Sequence, residues 1–257
     1  LNFNNRKVIA VVGTRSSTAY GRDMCERIIC DLSKYDPLIV SGLAIGIDSA
    51  AHKAAVDNNL QTVGVLAHGV DSVYPQSSRA IAARMLSNGG VISEFVSGTV
   101  PIRENFPKRN RIIAGMCDAL IIVESKKRGG SIISAELAYG YHREVFAVPG
   151  KASDLISEGC NDLIKYQKAV MITDGKDVAR EMNWSAPSAK QKQRELFPDL
   201  NVNEKMILEA IRSNSGLAID EMGAKTGLNS SELAQILLQL EFNGLVRVLP
   251  GKIYESA

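Results

Sequence analysis

Three times in the first 135 residues or so, the chain repeats one local pattern. An apolar run of strand length breaks at a glycine-bearing turn and gives way to a helix-compatible segment. Val8-Ile-Ala-Val-Val12 leads into Gly13-Thr-Arg-Ser-Ser17, and Leu38-Ile-Val40 leads into Ser41-Gly-Leu-Ala-Ile-Gly46. Ile121-Ile-Val123 leads into Arg128-Gly-Gly130. Unbroken apolar runs suit strands covered on both faces, and strand–helix alternation builds a parallel sheet. From Lys7 to about Asn183 the pattern predicts an α/β fold, a doubly wound and mainly parallel sheet of the Rossmann-like kind. Further strands are expected at 62–66, 90–93, 119–123, 145–148 and 169–172. Helices are expected at 21–32, 49–58, 78–86 and 134–141.

In such a fold the turns at the carboxyl ends of the strands line a crevice, where ligands bind. Gly42 and Gly46 permit close backbone approach, and each following helix presents free N–H groups and its dipole to an anion. Glycine turns of this kind also serve helix–strand packing alone. Charge favours the anion site. Between residues 103 and 128 lie Arg103, Lys108, Arg109, Arg111, Lys126, Lys127 and Arg128, against Glu104, Asp118 and Glu124. An excess of cations beside a strand-end crevice is the footprint of a nucleic-acid groove. Phe106, next to three of them, is placed to stack on a base. The alternative is a core Phe beside ordinary solvated cations.

Beyond about residue 184 the character changes. Residues 185–200 are polar, carry Pro187 and Pro198 with Lys190, Lys192 and Arg194, and read as a linker. Residues 201–257 read as a second, small domain: helices at 204–212, 219–226 and 230–243, then a two-stranded wing over 245–254 around Pro250-Gly251. That is the order of a winged helix. Its Asp and Glu residues outnumber its Lys and Arg residues, and the segment at the recognition-helix position, 230–243, contains no cation. Duplex affinity depends on neutralising phosphates, so this domain favours a protein-contact role, with Arg247 and Lys252 left to touch a backbone.

Several blocks together resemble the DprA (Smf) family: Ser41-Gly-Leu-Ala-Ile-Gly-Ile-Asp-Ser-Ala-Ala-His52, Gly69-Val-Asp-Ser-Val-Tyr-Pro75, Ser93-Glu94, Phe106-Pro-Lys-Arg-Asn-Arg-Ile-Ile-Ala-Gly115 and Val148-Pro-Gly150. Their order and spacing match from about Arg6 to Trp184, and the winged-helix segment resembles the family's C-terminal domain. The resemblance implies a homodimeric, cytoplasmic protein that binds single-stranded DNA and helps load the RecA recombinase during natural transformation. It implies no catalysis and no cofactor. It also assigns the DNA contacts. Arg15 clamps a phosphate in bidentate fashion, Ser41 and Gly42 offer hydroxyl and backbone donors, and Gly69 belongs to the same edge. Arg103 flanks the base that packs on Phe106. Lys108 and Arg109 track the backbone, and Gly129 and Gly130 admit a phosphate to the next helix start. Asp48 caps or braces its helix, while Asn110 and Arg111 hold their loop together. His52, in an Ala-rich helix, is expected to be structural. His68 departs from the family's pattern and either adds a hydrogen-bonding group to the pocket or partly blocks it.

Other classes fit less well. Gly129-Gly-Ser-Ile-Ile-Ser-Ala-Glu136 faintly resembles the glutamate-ended loop of lysine-decarboxylase-like phosphoribohydrolases, where Glu136 would stabilise an oxocarbenium-like charge and Arg109 hold a phosphate. No second carboxylate or base stands at a defensible spacing. Gly13-Thr-Arg-Ser lacks the Gly-x-Gly-x-x-Gly pattern of dinucleotide enzymes, and the second strand ends in Ser41 rather than an acid for a ribose. No metal-ligand spacing is present. Cys25, Cys30, Cys117 and Cys160 form no Cys-x-x-Cys pair and read as reduced core thiols. No apolar stretch reaches the length of a membrane span, and the opening residues are not a signal peptide. A start on Leu1 rather than Met points to a piece of a longer chain.

Overall fold

The computed structural model describes residues 7–185, 200–213, 217–249 and 253–256. The expected linker falls almost wholly outside them, as do Lys252 and the Pro250-Gly251 tip of the wing. The chain divides into two compact units, residues 1–188 and 189–257.

The first unit is built on a seven-stranded parallel sheet. Its strands are β1 (Val8–Val12), β2 (Leu38–Ser41), β3 (Thr62–Val65), β4 (Gly89–Ile92), β5 (Ala119–Ile122), β6 (Glu144–Ala147) and β7 (Val170–Met171), in the spatial order β4-β3-β2-β1-β5-β6-β7. Every expected strand is present, and every pairing is parallel. Successive side chains of a strand point to opposite faces, and β1 shows the consequence. Ile9 and Val11 enter one apolar core while Val8, Ala10 and Val12 enter another. The first core is closed by α1 (Ala19–Leu32), α2 (Ile47–Asp57) and α7 (Gly175–Glu181). The second is closed by α4 (Asn105–Met116), α5 (Gly130–Gly140) and α6 (Glu158–Lys165), while α3 (Arg79–Met85) packs at the β4 edge of the sheet. Winding starts at β1 and runs outward both ways, so the order reverses between β1 and β5. Ligands of such sheets bind outside the strand ends at that point.

The turns after β1 and β2 interlock there. Ile47 N–H donates to Thr14 O at 3.2 Å, and Gly46 is held at φ +88° with the position of a Cβ only 2.2 Å from that same oxygen. Both the conformation and the space exclude a side chain. Gly46→Ala is therefore expected to cost about 2–3 kcal/mol, read as a lowered denaturation midpoint with an unchanged m-value.

The second unit contains α8 (Val202–Arg212), β8 (Leu217–Ala218), α9 (Ile219–Thr226), α10 (Ser230–Phe242), β9 (Val246–Leu249) and β10 (Ile253–Ser256). The three helices and the two-stranded wing match the expected order. The short β8 is an addition, pairing antiparallel with β10 to complete a three-stranded sheet. Asn201 and Asn229 start α8 and α10 with reciprocal capping boxes to Glu204 and Glu232.

Three of the four cysteines are buried, but Cys30 is exposed on α1. It lies on the helix face away from the Cys25, Ile28, Ile29 and Leu32 stripe that meets the sheet. Burial pushes the Cys117 and Cys160 thiols up to about 12, which keeps them unreactive. Among the described residues no group of His, Cys, Asp and Glu is placed to hold a metal, and no helix is long and apolar enough to cross a membrane.

Candidate nucleic-acid interface

At the switch point the ends of β1 and β5 open into a groove of about 680 Å³. Thr14 and Arg15 line it from the β1 turn, Arg103 and Phe106 from the start of α4, and Lys126, Arg128, Gly129 and Gly130 from the turn before α5. Among the described residues none of Arg15, Arg103, Lys126 and Arg128 is in an ion pair, whereas Lys127 is held by Asp162 at 3.2 Å and Glu158 at 3.7 Å. Arg111 is paired with Glu94. The basic run thus splits into cations open to a ligand and cations already neutralised.

A helix sorts the basic block. Residues expected to form a loop lie in α4, where Pro107 is tolerated because the first turn needs no intrahelical acceptor for its nitrogen. Asn105, Arg109 and Ile113, four residues apart, form the buried stripe. Lys108 and Arg111 fall on the outer side. Arg109 lines the groove but is turned inward. It is 4% exposed, and its Nη1 donates to Gly42 O at 2.7 Å and to Val65 O. These two carbonyls cap the ends of β2 and β3, so Arg109 ties the strand ends together from beneath the groove. Gly42 is the space for this: a Cβ there would lie 2.5 Å from Arg109 Nη1 and 2.6 Å from Asp48 Oδ2. Burial raises the Asp48 carboxyl above its usual range, and the Arg109 charge opposes that rise. Asp48 Oδ2 also accepts from Ala44 N–H at 3.4 Å, so it braces the turn at the head of α2, as expected.

Other expected contacts are also turned inward. Ser41 is fully buried and donates its hydroxyl to Val11 O at 2.6 Å, while Gly69 N–H donates to Thr99 O at 3.0 Å. Neither offers a donor to a ligand, because each satisfies a backbone acceptor inside the fold. Lys108 is exposed on α4 but is not part of the groove wall. Gly129 starts α5 with its N–H bonded to Lys126 O at 2.9 Å, and a Cβ on Gly130 would meet nothing within 4 Å. The backbone at Gly130 is thus open to close approach.

Arg15 and Phe106 form one unit. The Arg15 guanidinium lies 4.8 Å from the centroid of the half-buried Phe106 ring, a cation–π distance. Tyr74 stands 6.3 Å from Phe106, ring centre to ring centre. It lines both the groove and a small adjoining recess. Reading residues one block at a time missed Tyr74, Lys126 and Arg128 as site residues. Their signal was present in the Tyr-Pro block and the basic run, but only the fold brings them together.

His52 is the structural histidine expected. Thr62 donates its hydroxyl to Ile39 O at 3.0 Å and so accepts from His52 Nδ1 at 2.7 Å. Burial, aided by the Arg109 charge, lowers its pKa to about 3. The enzyme reading loses its parts. Glu136 is exposed, 3.8 Å from Lys168, and is not on the groove wall, and Arg109 is sequestered.

Comparison with known proteins gives a consistent result. The family model for DNA recombination-mediator protein A matches residues 1–183, and that for the DprA winged helix domain matches residues 190–252. The DNA processing protein DprA of Streptococcus pneumoniae is 41% identical over 176 residues, 68% of this chain and 62% of that protein. The Smf protein of Escherichia coli is 34% identical across 95% of this chain and 66% of that protein. The chain thus spans just under two thirds of the length of these curated relatives. Among solved structures, S. pneumoniae DprA (40% identity, TM-score 0.65) covers 70% of this chain and 62% of its own. The Helicobacter pylori DNA processing protein A (27% identity, TM-score 0.65), described for its single-stranded DNA binding mode, covers 70% of this chain and 82% of its own.

Proposed function

The chain belongs to the DNA recombination-mediator protein A (DprA/Smf) family, and we propose that its first unit holds single-stranded DNA in the groove between the ends of β1 and β5. The observation that carries this reading is four cations in no ion pair among the described residues and a half-buried aromatic converging on one strand-end groove. Arg15, Arg103, Lys126 and Arg128 take phosphates, Gly130 gives the backbone room at the start of α5, and Phe106 packs against an unstacked base. Backbone and stacking contacts dominate, so the protein binds most sequences. It acts without catalysis and without a cofactor. Family membership supports the wider reading: a cytoplasmic homodimer that protects incoming single strands and helps RecA load on them during natural transformation. In the second unit, α10 carries no cation and exposes Leu238 and Phe242 one turn apart, which favours a protein contact over duplex DNA.

The test is fluorescence anisotropy of a labelled oligonucleotide, single-stranded against duplex, over a salt series. Four phosphate contacts predict a slope of log K against log salt of about −3 for the single strand. Duplex binding of equal strength, or a flat salt response, overturns the reading.

A further inference from the structure

Beside the groove, and opening under Arg15 and Phe106, is a recess of about 60 Å³ walled by Gly42, Leu66, His68 and Tyr74. The volume suits the edge of one ring rather than a nucleotide. Its lining is largely apolar apart from Arg15, Tyr74 and His68, of which His68 is 1% exposed. The imidazole is only half satisfied. Nδ1 lies 2.9 Å from Gly69 O and 3.3 Å from Ser72 Oγ, while Nε2 has no hydrogen-bond partner. A carbonyl oxygen can only accept, so the hydrogen shared with Gly69 sits on Nδ1. In the neutral ring Nε2 is then a bare acceptor, and a buried acceptor without a donor is a costly feature to keep.

Resting on the single-stranded DNA reading above, we propose that this recess receives the edge of an unstacked base and that His68 Nε2 accepts a hydrogen bond from its exocyclic amine. Cytosine N4 and adenine N6 supply that donor, whereas thymine presents its O4 acceptor at the equivalent edge. An acceptor facing an acceptor is repelled, so thymine leaves Nε2 unpaired. Entry requires the Tyr74 ring to turn. It is 46% exposed and stands edge-on to His68, 6.4 Å between ring centres at 83°. Phe106 then packs the face of the base whose edge His68 reads. His68 gives an otherwise sequence-tolerant groove a preference for amine-bearing bases.

The test uses the full chain and fluorescein-labelled 20-mers: all dT, alternating dT/dC, alternating dT/dA, and alternating dT with N4,N4-dimethyl-dC. One net hydrogen bond predicts about three- to tenfold tighter binding of an amine-bearing oligonucleotide than of dT. The dA and dC arms show which ring the recess takes. Dimethylation removes the amine hydrogens and is expected to abolish the gain, a comparison that needs no protein variant. His68→Leu is expected to equalise the oligonucleotides. A preference that is absent, or that survives dimethylation or His68→Leu, overturns the proposal and leaves the groove reading standing. Failure to bind any of the oligonucleotides, dT included, overturns both.

Discussion

Arg109→Met is expected to destabilise the first unit by about 3–5 kcal/mol, the cost of removing one member of a buried charged cluster. Met keeps much of the length and apolar volume, so the loss reports charge and hydrogen bonding rather than a large cavity. Two carbonyls, Gly42 O and Val65 O, lose their donor. Asp48, already raised by burial, also loses the positive charge that opposes the rise. The pH dependence identifies the cause. A carboxyl whose folded pKa lies above its unfolded value of about 4 favours folding when protonated, and that contribution disappears as pH rises through the folded value. In the variant the folded value climbs further. The deficit relative to the parent should therefore be smallest in acid and grow as pH rises through the parent's raised folded value toward the variant's higher one. Urea denaturation across a pH series measures it. A deficit under 1 kcal/mol, accompanied by weakened DNA binding, would return Arg109 to the role of backbone contact.

The second large effect is on binding. Arg15→Ala and Phe106→Ala are each expected to weaken single-stranded DNA binding by about tenfold or more, since a base–aromatic stack is worth about 1–3 kcal/mol. The salt series separates their roles. Arg15→Ala removes a phosphate contact and should flatten the slope by about 0.7, while Phe106→Ala should shift affinity and leave the slope unchanged. The two side chains already touch, with the guanidinium 4.8 Å from the ring centroid. Their combined loss should therefore fall short of the sum of the single losses. Strict additivity would show that the stacked pair seen in the free protein is not the unit that meets the strand. Binding unaffected by both substitutions would move attention to the second unit.

Where the reading from residues failed, it failed at side chains rather than at elements. The block from Phe106 to Arg111 read as a loop because its cations and proline masked a helical stripe of only four buried positions, Asn105, Arg109, Ile113 and Ala114. Ser41 and Gly69 read as donors because they occupy a turn-rich edge, yet both bond inward across the fold. The cations Lys126, Lys127 and Arg128 are equivalent in sequence, and only the position of α6 removes Lys127 by pairing it with Asp162 and Glu158.

By itself the sequence determined the seven-stranded parallel sheet and the winged-helix order, because each rests on local signals. Apolar runs long enough for a strand, glycine turns and capping residues act within a few positions of one another. The tertiary structure decided which polar groups face the groove. Arg109 is drawn inward by carbonyls 67 and 44 residues away, at the ends of two other strands. No local pattern contains that distance. An arginine goes to solvent or to the interior according to whether unsatisfied acceptors wait where its helix lands, and only the packed sheet sets where they are.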